Sequence, residues 1–357
     1  MIYLLLPLPP PTGGFSLASE SFAKNLLRTR TDIKLFNKSK NICADRFLLL
    51  IELFSNRKSI STLYIALSAG KGLILDFVYA FIAFCLGIKV VFHHHSFSYL
   101  IKKNSTINFF RTYLPSFSLS INHIFLCECM KTSYLKMYKT VFDSSNAFVL
   151  SNISLIGAND VTLDDPFAGQ NSRPLRPIRI GMLSNLTREK GVDDFLSLVD
   201  AFNSSQLSRL VSFHLAGPCG DDLKSDIQSY ANKSVSLAYM GPIYKEQKKH
   251  FFENIDVFVF PTKYKNEAEP LVLYEALSYG ALVYSYERGC IGSEMSSLIR
   301  VSSCFAELLH ELTLLAKYFS VSESRQLNEE RRERITLYAS ELDSKSSQLS
   351  NVIRWFS

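Results

Sequence analysis

Two glutamates, Glu267 and Glu275, bracket a proline in the stretch NEAEPLVLYEALSYGALV. From Pro270 the apolar residues fall at Leu271, Tyr274 or Glu275, and Leu277 or Ser278, which is helical spacing. Proline suits a first helical turn because its missing N–H would have had no partner there. Glu275 then stands roughly 7 Å along the axis from the helix start, and Glu267 lies before that start. Charged groups on an element that packs on a sheet are costly unless they point out of an end or meet a partner. Between the two carboxylates lie the free amides of a helix N-terminus, which favour an anion such as phosphate. The layout suits a nucleotide-sugar. Glu275 would accept from a ribose diol, the backbone around Ala268, Pro270, Leu271 and Val272 would face the diphosphate, and Glu267 would reach sugar hydroxyls. Glu269, a third carboxylate beside phosphate-facing amides, would repel that ligand and is expected to turn toward solvent or a sugar hydroxyl.

The elements that must position these groups are legible on either side. Asp256 to Phe260 is a short apolar run closed by Pro261, hence a buried strand with a hard stop, and a loop from Thr262 to Glu269 follows. Gly280 ends the helix, and Ala281 to Tyr284 begins another strand. With DVFVFPT ahead and EALSYGALV behind, Glu267-x7-Glu275 resembles the E-x7-E signature of retaining GT-B glycosyltransferases, family 4 (glycosyl transferases group 1). That resemblance implies an α/β architecture of two Rossmann-like domains facing each other across a cleft. It also implies transfer of a hexosyl-type unit with retention, a nucleotide-sugar as substrate, and no metal or other cofactor.

The resemblance extends to other loops. IRIGMLSNLTREKGVDDFLSLV, from Ile178, reads as a strand, a polar loop and an amphipathic helix from Val192 to Val199, with Lys190 placed to neutralise a phosphate. The family pattern has an arginine five residues before that lysine, where this chain has Asn185, and Arg188 is the expected substitute. Gly217-Pro218 and Gly241-Pro242-Ile243, each after a strand, resemble positions beside the nucleotide base. Near the start, Ile2 to Leu6 is a strand, PLPPPTGG an extended loop, and Phe15 to Leu27 an amphipathic helix opening with Ser16. Gly13 and Gly14 between them would let backbone approach a ligand, so that Thr12 to Phe15 would line the acceptor and diphosphate side. A strand from Ile88 to Phe92 ends in His93, His94 and His95. Alternation along a strand keeps three adjacent histidines from ligating one metal, but one could project from the strand's end; the family often has a histidine there near the donor sugar, and His94 and His95 are the candidates.

The 357 residues suit two domains: 1–158 for an acceptor, a Pro-, Gly- and Ser-containing linker over 159–177, 178–340 for the nucleotide-sugar, and a last helix over 341–357 whose Trp355 would dock on the first domain. EERRER at 329–334 reads as a solvated helix face. Gly72 to Phe92 is apolar enough to suggest a span, but Asp76, Gly87 and Lys89 divide it into a helix and a strand. Seven cysteines at irregular spacings, with no signal-peptide pattern, read as buried, reduced thiols of a cytoplasmic protein. Residues 1–150 carry 17 Lys+Arg against 7 Asp+Glu, a balance of +10, and the remainder −4. Without a nucleic-acid motif, the basic half points to an anionic membrane surface at the inner face, or to a saccharide or lipid-linked oligosaccharide acceptor, as in surface polysaccharide or O-antigen synthesis. The rival readings are a nucleotide-sugar epimerase of the same fold and a non-catalytic nucleotide-sugar-binding subunit.

Overall fold

The computed structural model describes residues 1–39, 42–139, 146–156, 176–234, 236–322 and 324–356. The chain divides into two compact units, Met1–Gly157 with Lys265–Glu269 and Ser344–Ser357, and Ala158–Tyr264 with Pro270–Asp343. Each is Rossmann-like, a six-stranded parallel sheet flanked by helices.

In the first unit the strands are β1 (Ile2–Leu6), β2 (Ile33–Asn37), β3 (Thr62–Ala66), β4 (Lys89–His93), β5 (Asn122–Phe125) and β6 (Ala147–Val149), in the order β2-β1-β3-β4-β5-β6. β1 and β3 are buried along their whole length, which is why they read as unbroken apolar runs rather than alternating ones. The helices are α1 (Gly14–Leu27), α2 (Ile42–Ser55), α3 (Gly72–Cys85), α4 (Ser98–Ile101), α5 (Ser105–Tyr113), α6 (Pro115–Ser120) and α7 (Glu128–Tyr138). Strand order reverses between β1 and β3, so the loops after those strands flank the crevice that such sheets use for ligands.

The second unit holds β7 (Ile178–Leu183), β8 (Val211–Ala216), β9 (Leu237–Tyr239), β10 (Val257–Phe260), β11 (Leu282–Tyr286) and β12 (Arg300–Ser302), ordered β12-β11-β10-β7-β8-β9. Its helices are α8 (Val192–Asn203), α9 (Asp221–Lys233), α10 (Glu246–Asn254), α11 (Leu271–Ser278), α12 (Ile291–Glu294), α13 (Phe305–Val321) and α14 (Ser324–Phe356), whose last residues belong to the first unit. The core packs Phe195, Val199 and Phe202 of α8 and Leu308 and Leu312 of α13 around the sheet. The switch point here lies between β7 and β10.

Several expectations change. The linker at 159–177 lies outside the described residues apart from 176 and 177. Lys265–Glu269 groups with the first unit, whereas the sequence division kept 178–340 together. The EERRER face is not solvated throughout. Arg331 is buried, donating to the carbonyls of Tyr279 (2.7 Å) and Ile255 (3.1 Å) with the Asp256 carboxylate 3.7 Å away. Cys85 and Cys304 are exposed free thiols, while Cys127 and Cys290 are not free, so the cysteines are neither all buried nor all reduced. Trp355 packs at a tilt on Phe148 (5.0 Å between ring centres) with the Lys89 ammonium 3.4 Å from the centre of its ring, as the docking of the last helix requires. Gly72 to Phe92 divides as α3, a left-handed Gly87 (φ 75°) and β4, and among the described residues no helix is long and apolar enough to cross a membrane.

Candidate functional site

In the second unit the candidate residues gather at the carboxyl edge of the sheet around the β7/β10 switch point. β7 runs out at Leu183, and a one-turn helix over Arg188–Lys190 leads into α8 through Gly191. Thr187 caps that turn by accepting from the Lys190 amide (3.2 Å). Gly191 is left-handed (φ 89°), and a Cβ there would stand 2.0 Å from the Pro261 carbonyl oxygen, so only glycine lets the β7 loop press against the end of β10. This contact lays the Lys190 ammonium over the last ring of β10 and one in the loop behind it, 5.6 Å from the centre of Phe260 and 4.9 Å from that of Tyr264. Cation–π attraction helps hold the ammonium there. The same junction is braced by Lys263, whose amide donates to the Glu189 carbonyl (2.8 Å) and whose ammonium meets Asp194 (2.6 Å). Tyr286 donates to the other oxygen of Asp194 (2.7 Å).

Arg188 does not take the place of the missing arginine at Asn185. Its guanidinium is 62% exposed and is held by Asp193 (2.6 Å) and Asp226 (2.7 Å), in the groove between α8 and α9. Asn185 itself is exposed beside Ser184. The Ser184 carbonyl oxygen would lie 1.8 Å from a Cβ at Gly217 (φ 125°), so the loops after β7 and β8 meet backbone to backbone. The Gly217 amide donates to the Gly241 carbonyl (2.8 Å), which brings in the loop that carries exposed Pro242 and buried Ile243. The loops after β7, β8 and β9 therefore meet at one edge of the sheet.

Pro270 caps α11 with φ −68°, and with neither a side-chain cap nor an acid in its first turn this helix offers the amides of half-buried Leu271 and Val272 as donors. One turn on, Glu275 is half-buried and receives a charged hydrogen bond from Lys248 of α10 (2.5 Å). The Lys248 contribution was not read from the sequence. An ammonium beside Glu275 is the opposite of the clustered carboxylates that a divalent cation needs, and the pairing leaves the second carboxylate oxygen for a diol.

The first unit positions the other candidates. The Gly13 amide donates to Ser16 Oγ (3.0 Å), which in turn donates to the Pro11 carbonyl (2.8 Å), so the glycine loop is fixed from beneath. Gly14 is exposed, and no atom of the described residues lies within 4 Å of where a Cβ would stand. Next to it Phe15 packs on His95 (4.8 Å between ring centres). His95 is half-buried, its Nε2 has no hydrogen-bond partner among the described residues, and burial with the neighbouring histidines and Lys38 pushes its pKa well down, so it stays neutral.

His94, the other histidine candidate, is a core residue. It is fully buried, its Nδ1 bonds Tyr99 Oη (3.0 Å), its Nε2 bonds His123 Nδ1 (2.9 Å), and its ring stacks on Phe125 (4.3 Å). Both ring nitrogens are used within the fold, which removes it from the site. Glu267 is buried, as is Ala268 beside it. Glu269 is buried too, and does not face solvent or a ligand. Ser151 Oγ donates to one carboxylate oxygen, the Asn152 amide to the other (2.7 Å), and Asn152 Nδ2 to its carbonyl (2.8 Å). It is a structural clasp that sequence could not show, because its partners are more than a hundred residues away.

Residues 165–295 match the family model described as glycosyl transferases group 1. Over that stretch the chain is similar to glycosyl transferases group 1. The fold agrees over the whole length with glycosyltransferases of the GT-B fold. Anabaena Alr3699/HepE in complex with UDP aligns at TM-score 0.67 and 14% identity, covering 99% of this chain and 100% of that one. Sucrose-phosphate synthase from Thermosynechococcus elongatus aligns at 0.67 and 13%, covering 99% and 98%. WaaG, a glycosyltransferase involved in lipopolysaccharide biosynthesis, aligns at 0.62 and 11%, covering 97% and 98%. No curated protein sequence is detectably similar to this one. Lys190, Gly217, Gly241 and Glu275 all fall within the matched stretch.

Proposed function

We propose that the chain transfers a glycosyl unit from a nucleotide-sugar to a saccharide hydroxyl with retention of configuration, in the manner of family 4, without a metal. The observation that carries this reading is the Lys190 ammonium held on Phe260 and Tyr264 at the switch point, with the open N-terminus of α11 following the same strand in the chain. An ammonium and helix amides on one sheet edge are the chemistry for a diphosphate. The ribose diol donates to Glu275, whose carboxylate Lys248 holds from the α10 side. In the reaction the bond from the sugar's C1 to the diphosphate oxygen breaks, the acceptor oxygen bonds to C1 on the same face, and the hydroxyl proton leaves with the diphosphate. Lys190 and the Leu271 and Val272 amides stabilise the charge that develops there. Glu267 and neutral His95 are assigned to the sugar hydroxyls on the strength of the E-x7-E resemblance. UDP and glucose, named for HepE, are the first donor components to try. The acceptor is proposed to be lipid-linked, in surface polysaccharide or O-antigen assembly, because the half of the chain assigned to it is strongly basic.

Calorimetric titration with UDP-, GDP- and dTDP-sugars tests the donor. One should bind, and Lys190→Ala should weaken it about 10- to 100-fold; failure of every nucleotide-sugar to bind would remove the reading. The anomeric configuration of the product, read by NMR, tests retention. Diversion of Arg188 to Asp193 and Asp226 keeps it from standing in for the arginine of the family pattern, which favours a non-catalytic binding subunit as the second reading. Tight donor binding with no turnover on any acceptor, and no altered free sugar, would select it.

A further inference from the structure

Helix α2 of the first unit is amphipathic in the reverse of the usual sense. Its outward positions are Phe47 (63% exposed), Leu48, Ile51 and Phe54 (58%), which recur at helical spacing. Its charged residues instead turn toward the protein. Asp45 accepts from the Asn37 amide (3.2 Å), Arg46 is buried 3.8 Å from Asp76, and Glu52 accepts from Tyr3 Oη (2.8 Å) and pairs with Lys34 (2.8 Å). Helix α3 continues the surface. It is apolar nearly all round, buries Leu73, Phe77 and Ala80, and leaves Ile74 (52%), Leu75 and Val78 exposed. The Arg46–Asp76 pair joins the two helices, and their right-handed crossovers run in one direction across the sheet, so both cover the same face. Large exposed apolar residues clustered this way on a monomer mark a surface that something covers.

We propose that this α2–α3 face seats in the interfacial layer of an anionic lipid bilayer. Charge selects the occupant. The exposed residues of both helices include no carboxylate, while Arg57 and Lys58 stand exposed just past α2 and Lys71 just before α3, in the half of the chain with a balance of +10. Apolar side chains rimmed by cations match acyl chains beneath anionic headgroups. A second copy docked on the same face would bring those cations against one another instead. The inference rests on the proposal of a lipid-linked acceptor for its purpose, and supplies the surface by which the enzyme would reach one.

Co-sedimentation of the full chain with phosphatidylcholine vesicles, with and without phosphatidylglycerol, provides the test. Binding should require phosphatidylglycerol, weaken with salt, and fall at least about tenfold in Phe47→Ser/Phe54→Ser. It should fall about fivefold for each charge removed in Arg57→Gln/Lys58→Gln. Ile74→Ser/Val78→Ser gives a second apolar variant should the first melt early. Absence of binding by the unaltered protein, or binding indifferent to all three variants, would overturn the assignment. So would a stable dimer in sedimentation velocity that the apolar variants dissociate. Nucleotide-sugar titration of the same preparations separates the two proposals: lost donor binding with vesicle binding intact defeats the transferase reading and leaves this one standing.

Discussion

Lys248 donates to Glu275 across 2.5 Å, joining α10 to the helix that opens the proposed diphosphate site. Glu275→Ala is expected to abolish measurable turnover. Lys248→Met should weaken donor binding about 10-fold, the worth of one hydrogen bond to a charged group, with little change in melting temperature because both side chains are more than a quarter exposed. Calorimetry and thermal melts of the two variants check this. An unaltered donor affinity in Lys248→Met would show that Glu275 needs no partner.

Gly191→Ala forces a side chain to within 2.0 Å of the Pro261 carbonyl at a backbone angle that L residues rarely adopt. The expected cost is about 3 kcal/mol, and Lys190 moves with it. Urea unfolding combined with donor titration should therefore show both stability and affinity reduced. Retained affinity would mean that Lys190 does not depend on this junction.

Glu269→Gln places an amide group where Ser151 and Asn152 both donate, so one oxygen's bond is lost. A loss of about 2 kcal/mol is expected, visible as a lower melting temperature with unchanged donor affinity. A variant as stable as the parent would contradict the clasp.

The two histidine candidates separate by the same logic. His94→Ala should cost several degrees of melting temperature through its aromatic and hydrogen-bonded neighbours, whereas His95→Ala should lower turnover about 100-fold at nearly constant stability. Equal effects on both properties would defeat the distinction.

Burial depresses the pKa of His93 and His123 to about 3 and that of His94 well below its ordinary value. The unfolded chain takes up protons near pH 6.5 where the folded chain does not. Stability is therefore full above that value and falls as pH drops toward 3. Between pH 7 and about pH 5 the loss for His93 alone is about 2 kcal/mol. Chemical denaturation across this interval measures it, and a flat profile would mean that these imidazoles are not held neutral.

The strands that place the site were readable because they are largely buried: Ile2 to Leu6 and Val257 to Phe260 show as apolar runs, and Val211 to Ala216 as apolar residues alternating with Ser212 and His214, each with a turn signal behind it. β2 was missed because it is partly exposed and carries Lys34 mid-strand, and β12 because three residues give no period. Glycine signals located Gly191, Gly217 and Gly241. What spacing could not give was direction. It could not tell that Arg188 swings to Asp193 and Asp226, that His94 turns inward, or that Glu269 finds Ser151, since each depends on partners brought together by folding.

Arg331 gathers the carbonyls of Phe252, Ile255 and Tyr279, at the ends of the helices that carry Lys248 and Glu275. Trimming the protein from its far end, which position along the chain would make look harmless, therefore has a reach well beyond the residues removed. Any shortened version that stops before 331 would let α10 and α11 fray, and the fault would surface as poor grip on the donor.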